Sequence, residues 1–541
     1  MEDAGVPGAY AVGGADSNRY DDENEEGTYE DSGLGNLDNL TEAIVDVPVA
    51  AALVSDEVVV ATPVTSELMD VHRAERILLQ MHLCITDRET RPLDEAAVTK
   101  LLKEFPNLFR EKHPLESDDS KTILLYPLCL ILRLQPSIKL VKAIYDVHPI
   151  ALRDIDECGC LPIHFAARWG ADIRIVTFLL DAYPESVFTP DSEGQLALHH
   201  SCLWSKSWKV TEFLISRYPE TIEHARKDNA LPLHLTIQTD GPESTILKLL
   251  ERYPKAASIA NKDALMPLHL VCMQKSEIRA SIVRALLKLH PEAARTVTPE
   301  PFTSLALHMA CQFRAPAGVI SMLLDTFPEG VSRKDGYGFL PLHYLANCHN
   351  DTIVLKVFRL FPGAAREKGF NGGFALHAAL KSKKSEEVIM ELLSAYPEVA
   401  KIANNQGRLP LHIALSKKGG YSSACIAHIL SLNEDASRKC NNDGLAVYPL
   451  HLDCMNYEDS SITIKLINLF PEALQVRGER GRLPLHLIVS NKDRCNDVQT
   501  VREMLRIYPK AAKTKDKRGN LPLALAVESN ACLEMQKLLS P

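Results

Sequence analysis

Residues 231–254 read "LPLHLTIQTDGPESTILKLLERYP". Pro232 suits the first turn of a helix, where its missing N–H costs nothing, and "PLHLTI" places apolar residues on more than one side of a short, buried helix. "QTDGPE" is a polar turn. "STILKLLERY" then sets Ile246, Leu249 and Leu250 at helical spacing, and Pro254 disfavours helical geometry at Tyr253 and stops the second helix. Pro267 stands thirteen residues after Pro254, enough for a charged, extended connection. One unit is therefore helix, turn, helix and long finger.

The stretch recurs. "LPIH", "LALH", "LPLH", "MPLH", "LALH", "LPLH", "FALH", "LPLH", "YPLH" and "LPLH" end on His164, His199, His234, His269, His308, His343, His377, His412, His451 and His486, spaced by 35, 35, 35, 39, 35, 34, 35, 39 and 35 residues. One step of 35 before His164 is Cys129 in "YPLC". An aromatic residue or His followed by Pro recurs in phase, as at Pro184, Pro219, Pro254 and Pro291, and one unit breaks it with "LSLNED" at 430–435.

The pattern resembles the ankyrin repeat. In "LPIHFAARWGADIRIVTFLLDAYP", residues 161–184, the positions Pro162, Ile163, His164, Ala166, Ala167, Gly170, Ile175, Val176, Leu179 and Leu180 match T-P-L-H-x-A-A-x-x-G…I-V-x-x-L-L. The resemblance spans about residues 122–541, in twelve units, and departs at two points. The family's Thr is apolar throughout, and the Gly that ends its second helix is replaced by aromatic-Pro. With that hydroxyl gone, another group must satisfy the helix start. The apolar residues at this position and the aromatics before Pro are expected to form rows buried along the stack. The fold expected is an all-α, ankyrin-like helix-turn-helix solenoid of about twelve repeats, curved, with finger loops. Tetratricopeptide arrays have a similar period, but their Trp and Gly-Tyr pattern is absent.

Identical positions in stacked helices lie roughly 8–10 Å apart, too far for two imidazoles to share an ion. The ten histidines therefore read as scaffold, and the resemblance implies that they bridge neighbouring repeats by hydrogen bonds. The final unit, "LPLALA", has Ala524 at this position and no following unit to bridge to.

Charge divides the chain. Residues 1–40 carry eleven acids and one base, and the rest balances at 59 bases and 59 acids. An acidic disordered tail over 1–40, a valine-rich linker over 41–70, a helical N-terminal cap region over 71–121 and the repeat array over 122–541 are expected. Thirteen scattered cysteines, with only a CxC at Cys158 and Cys160, read as reduced core thiols of an intracellular protein, cytoplasmic or nuclear. No uncharged apolar stretch reaches the roughly 20 residues that span a bilayer, so no membrane insertion is expected.

No nucleophile elbow, phosphate-binding loop, HExxH or kinase signature occurs. Neither catalysis, nor a small-molecule substrate, nor a cofactor, nor a metal is expected. The resemblance implies a protein-binding scaffold that contacts its partner through fingers and the concave face. The fingers at 472–482 and 510–520 carry Arg477, Arg480, Arg482, Lys510, Lys513, Lys515, Lys517 and Arg518 against three acids, whereas those at 150–160 and 185–195 carry six acids and one base. An acidic segment of a protein partner suits the basic pair. Nucleic acid on the same fingers is the alternative, disfavoured by the balanced charge of the body.

Overall fold

The first helix of each unit starts without a hydroxyl cap. In the unit at Leu231 the residue before the helix is extended (φ −85°, ψ 161°) and Pro232 takes the first helical position, its ring already set for helix. The helix is short, Pro232–Gln238, because the polar turn follows at once. The second helix, Glu243–Arg252, buries Thr245, Ile246, Leu249 and Leu250 on one face. Tyr253 leaves helical geometry at φ −134° and ψ 78°.

The computed structural model describes residues 93–116, 122–204, 208–274, 280–348, 351–369, 372–416, 420–440, 447–457 and 459–540. The expected tail (1–40), the linker (41–70) and residues 71–92 lie outside them. Helix pairs run from Pro127–Leu132 with Ile138–Val147 to Pro522–Glu528 with Leu533–Leu539, twelve pairs in all among the described residues. First helices pack on the first helices of adjacent units and second helices on second, around one continuous apolar core. No described helix is long and apolar enough to cross a membrane.

Before the array, the region expected to be helical holds a helix, Glu95–Glu104, capped by Asp94, whose carboxylate accepts from the Ala97 N–H at 3.0 Å. It also holds a 3-10 turn, Pro106–Arg110, and a strand, His113–Glu116, paired with Thr122–Leu125. The β-ribbon was not legible in the sequence.

Pro254 does more than stop a helix. It opens a 3-10 turn, Pro254–Ser258, and its equivalents do the same in other units. The unit without Pro keeps this turn at Glu434–Arg438, where the buried Asn433 side-chain amide donates to the Ala400 carbonyl at 2.8 Å. The two apolar rows differ in depth. Leu161, Leu196, Leu231, Leu305, Leu340, Phe374, Leu409 and Leu483 before the first helices are buried, with Met266, Tyr448 and Leu521 half-buried. The aromatics Tyr183, Tyr218, Tyr253, Phe327, Phe361, Tyr396, Phe470 and Tyr508 are all half-buried, seated on the edge of the core.

Six fingers turn on an Asp or Asn eight residues before the histidine position of the following helix. Asp156 Oδ1 accepts from the N–H groups of Cys158 (2.9 Å) and Cys160 (2.6 Å), and Gly159 closes the turn at φ +76°. Asp191, Asn261, Asp335, Asn404 and Asp516 hold their turns in the same way. Fingers also join side by side through backbone bonds such as Ser192 N–H to Cys158 O (2.8 Å), Lys227 N–H to Glu193 O (3.1 Å) and Lys517 N–H to Arg480 O (3.0 Å).

A Cβ on Gly159 would lie 2.8 Å from the Ser192 nitrogen, whereas one on Gly338, at φ +80°, would meet nothing within 4 Å. Gly338→Ala should therefore cost only the left-handed strain, about 1–2 kcal/mol. Gly159→Ala should cost clearly more, because the Ser192–Cys158 link must also give. Urea denaturation of the two variants is the check, and equal losses would contradict it.

Candidate functional site

The residues singled out by the sequence occupy two places: the helix starts, where the histidines stand, and the finger tips, where the charges stand.

In ten of the twelve units the third residue of the first helix is histidine, and its ring folds back on the orphan backbone N–H before the helix. The N–H groups of Leu161, Leu196, Leu231, Met266, Leu305, Leu340, Phe374, Leu409, Tyr448 and Leu483 donate to Nδ1 of the ring three residues on, at 2.8–3.4 Å. This is the group that stands in for the missing hydroxyl. Because Nδ1 accepts, Nε2 carries the proton. It donates to the carbonyls of Thr189, His224, Ile259, Thr296, Arg333, Glu367, Ile402, Lys439, Val476 and Thr514, at 2.8–3.1 Å. Those carbonyls lie on the connection leading to the next unit, 24 to 28 residues ahead. Both ring nitrogens are used, and only the neutral ring can use both.

The electrostatics agree with the geometry. Burial pushes the imidazole pKa down to about 4 at His164, His234 and His377 and to about 3 at His199. It is lowered for the same reason at His269, His308, His343, His451 and His486.

The basic fingers divide by role. Arg477 donates to the Lys515 carbonyl at 2.8 Å, and Arg482 is half-buried with Nε 3.5 Å from the Asp516 carboxylate, so these two arginines tie finger to finger. Arg480 is exposed beside Glu479 at 3.9 Å. Lys510, Lys513, Lys515, Lys517 and Arg518 are exposed and have no carboxylate partner among the described residues. On the acidic fingers, Asp156 and Asp191 are spent on turns and Asp154 pairs with Lys112 at 2.5 Å, which leaves Glu157, Glu185 and Glu193 exposed. Sequence reasoning missed the turn-holding carboxylates. Their signal was present in five fingers, an Asp or Asn three residues before Gly and eight before the histidine position; Asn261 has Ala264 in place of the Gly.

No catalytic constellation assembles from these groups. The buried thiols are pushed up by desolvation, Cys202 and Cys272 to about 12 and Cys425 to about 11, the reverse of an activated nucleophile.

A repeating unit of two helices, a 3-10 turn and a finger, stacked at a period near 35 residues with a histidine tying the first helix to the connection ahead, fixes the architecture. The fold is an ankyrin-like solenoid. Among solved structures, the ankyrin repeat domain of Bcl-3, described as a unique member of the IkappaB protein family, is 21% identical and matches over 43% of this chain and 97% of its own, with a TM-score of 0.33. A structure of the Bd0816 predatory endopeptidase from Bdellovibrio bacteriovorus in complex with immunity protein Bd3460 is 20% identical, over 37% of this chain and 96% of that one, with a TM-score of 0.31. No family model and no curated protein matches the sequence.

The ring geometry gives the array a definite pH dependence. An imidazole whose folded pKa lies below its unfolded value of about 6.5 favours the native state fully above pH 6.5. That contribution is lost as pH falls toward about 4, and for His199 toward about 3. The urea midpoint should be flat above pH 7 and fall steeply between pH 6.5 and 4. His234→Ala should cost about 1–3 kcal/mol at pH 7 by leaving the Leu231 N–H and the Ile259 carbonyl unpaired, and should make the acid slope shallower. A midpoint indifferent to pH across this window would contradict the neutral-ring assignment.

Proposed function

We propose that this chain is a non-enzymatic protein-interaction scaffold whose C-terminal fingers, 472–482 and 510–520, take an acidic segment of a protein partner. The supporting observation is the set of exposed cations Lys510, Lys513, Lys515, Lys517 and Arg518, none paired with a carboxylate among the described residues, on fingers stiffened by Arg477 and Arg482. Elsewhere on the array many exposed lysines and arginines are neutralised locally, as Lys334 is by Glu367 (2.7 Å) and Arg359 by Glu387 and Glu391. Charge held by a rigid turn and left unpaired is available to a partner at little ordering cost. The histidine row belongs to the scaffold in this reading, setting finger spacing and leaving recognition to the tips.

Exposed charges are screened over about 8 Å at physiological ionic strength, so binding should weaken steeply with salt. Replacing Lys515 and Lys517 together by Glu should weaken binding of an acidic peptide about tenfold or more at low salt, while Glu157→Gln with Glu193→Gln leaves it unchanged. Fluorescence anisotropy with the acidic peptide, and with duplex DNA and RNA of matched charge, is the measurement. Peptide affinity insensitive to the lysine change would remove the assignment, and tighter nucleic-acid binding that depends on the same lysines would establish the alternative.

A further inference from the structure

One side-chain cluster is distinct from the bonds that every unit shares. Cys160, Asp191 and His200 meet between two neighbouring fingers, each nearly buried, at 8%, 9% and 4% exposure. Cys160 closes one turn, Asp191 opens the next, and His200 follows His199 in the first helix. Asp191 Oδ1 is used by the turn, accepting from the N–H groups of Glu193 and Gln195 at 2.9 and 2.7 Å. Its Oδ2 faces the other two residues, 2.9 Å from His200 Nε2 and 3.9 Å from Cys160 Sγ. The three ligand atoms all lie within 4.8 Å of one another, and no other such group of three occurs among the described residues.

The array supplies its own comparison. At the equivalent places four units later stand Ser304, Asp335 and Tyr344, and there the Tyr344 hydroxyl donates to Asp335 Oδ2 at 2.6 Å. Tyrosine fills that position with its one polar atom bonded. Histidine fills it less well, since His200 Nδ1 is buried with no hydrogen-bond partner. The bond to the aspartate needs neither an imidazole nor a thiol, since Tyr344 and Ser304 serve at the equivalent places. Thiolate, imidazole and carboxylate converging on one point are the donor set of zinc-class ions.

We propose that Cys160, Asp191 and His200 bind a divalent cation of the zinc class, with water as the fourth ligand. The charges balance: one thiolate and one carboxylate neutralise a divalent ion, which offsets its burial, whereas a monovalent ion would leave a net negative charge in the core. On binding, the Cys160 thiol gives up its proton to solvent. The His200 proton moves from Nε2 to Nδ1, freeing the Nε2 lone pair for the metal, so one proton is released per ion. No local motif marks this site in the sequence, since its three residues come from separate turns and a helix, 31 and 9 residues apart.

The test uses the full chain, reduced and stripped with chelator, then titrated with Co2+ and followed by its thiolate-to-cobalt absorption. One Co2+ per chain should bind, be displaced by Zn2+, and bind about tenfold more tightly for each unit rise in pH below the thiol pKa. Cys160→Ser should abolish the thiolate band. His200→Tyr, which copies the arrangement at Tyr344, should keep the helical circular dichroism and weaken cobalt binding at least 100-fold. Cys158→Ser, at the exposed neighbouring thiol, should leave the band intact. The proposal fails if the parent chain shows no thiolate band, if the band survives Cys160→Ser, or if His200→Tyr binds cobalt as tightly as the parent.

Discussion

An apolar residue at the start of a buried helix leaves its own backbone N–H with no water and no side-chain oxygen to bond. Here that problem recurs at every unit, and one imidazole answers it ten times, accepting the N–H at Nδ1 and passing the bond on through Nε2 to a carbonyl about 25 residues ahead. The same ring thus caps its helix and fixes the approach to the next. The phase of the array follows from it, the carbonyl lying 24 to 28 residues ahead in every bonded unit. The units of 39 residues keep the bond because their extra length is taken up in loops, as at His269 to Thr296 and His412 to Lys439, both 27 residues apart.

The fingers are ordered by a second local device, a carboxylate or amide that collects the turn's N–H groups. Acids that look like surface charge in the sequence are thereby internal: Asp191 and Asp516 are buried, and their charge is not presented to solvent. The basic residues have no such duty apart from Arg477 and Arg482. The exposed finger charge is consequently weighted toward the basic end, because the acidic fingers lose more of theirs to turns and pairs, and the proposed recognition of an acidic segment rests on this.

The repeat, the helix pairs and the placing of the histidines were legible because period, proline position and apolar spacing are local properties of the chain. What stayed hidden depended on groups far apart in sequence. The partner of each Nε2 is a carbonyl, which carries no side-chain signature. The β-ribbon at His113–Glu116 and Thr122–Leu125 follows no periodic cue, and the 3-10 turn after each Pro was read as extended because proline marks a stop and a start alike. Asn433 shows why the broken unit does not break the stack, since its amide reaches the neighbouring unit's carbonyl. Among the candidate residues, the sequence located the exposed lysines but not which arginines were already engaged. It did not join Cys160 to His200 across two fingers.

Ten neutral imidazoles, each protonated on Nε2 alone, tie a first helix to the connection leading to the next unit. Long-range nitrogen-proton correlation spectra of the chain with ring-labelled histidine, at neutral pH, test it directly. Ten rings in the Nε2–H form, with slowly exchanging Nε2 protons, are expected, and His164, His199, His234 and His377 should stay neutral down to about pH 4. Rings in the Nδ1–H form, or imidazolium signals appearing near the ordinary histidine pKa of about 6.5 while the array is still folded, would contradict it.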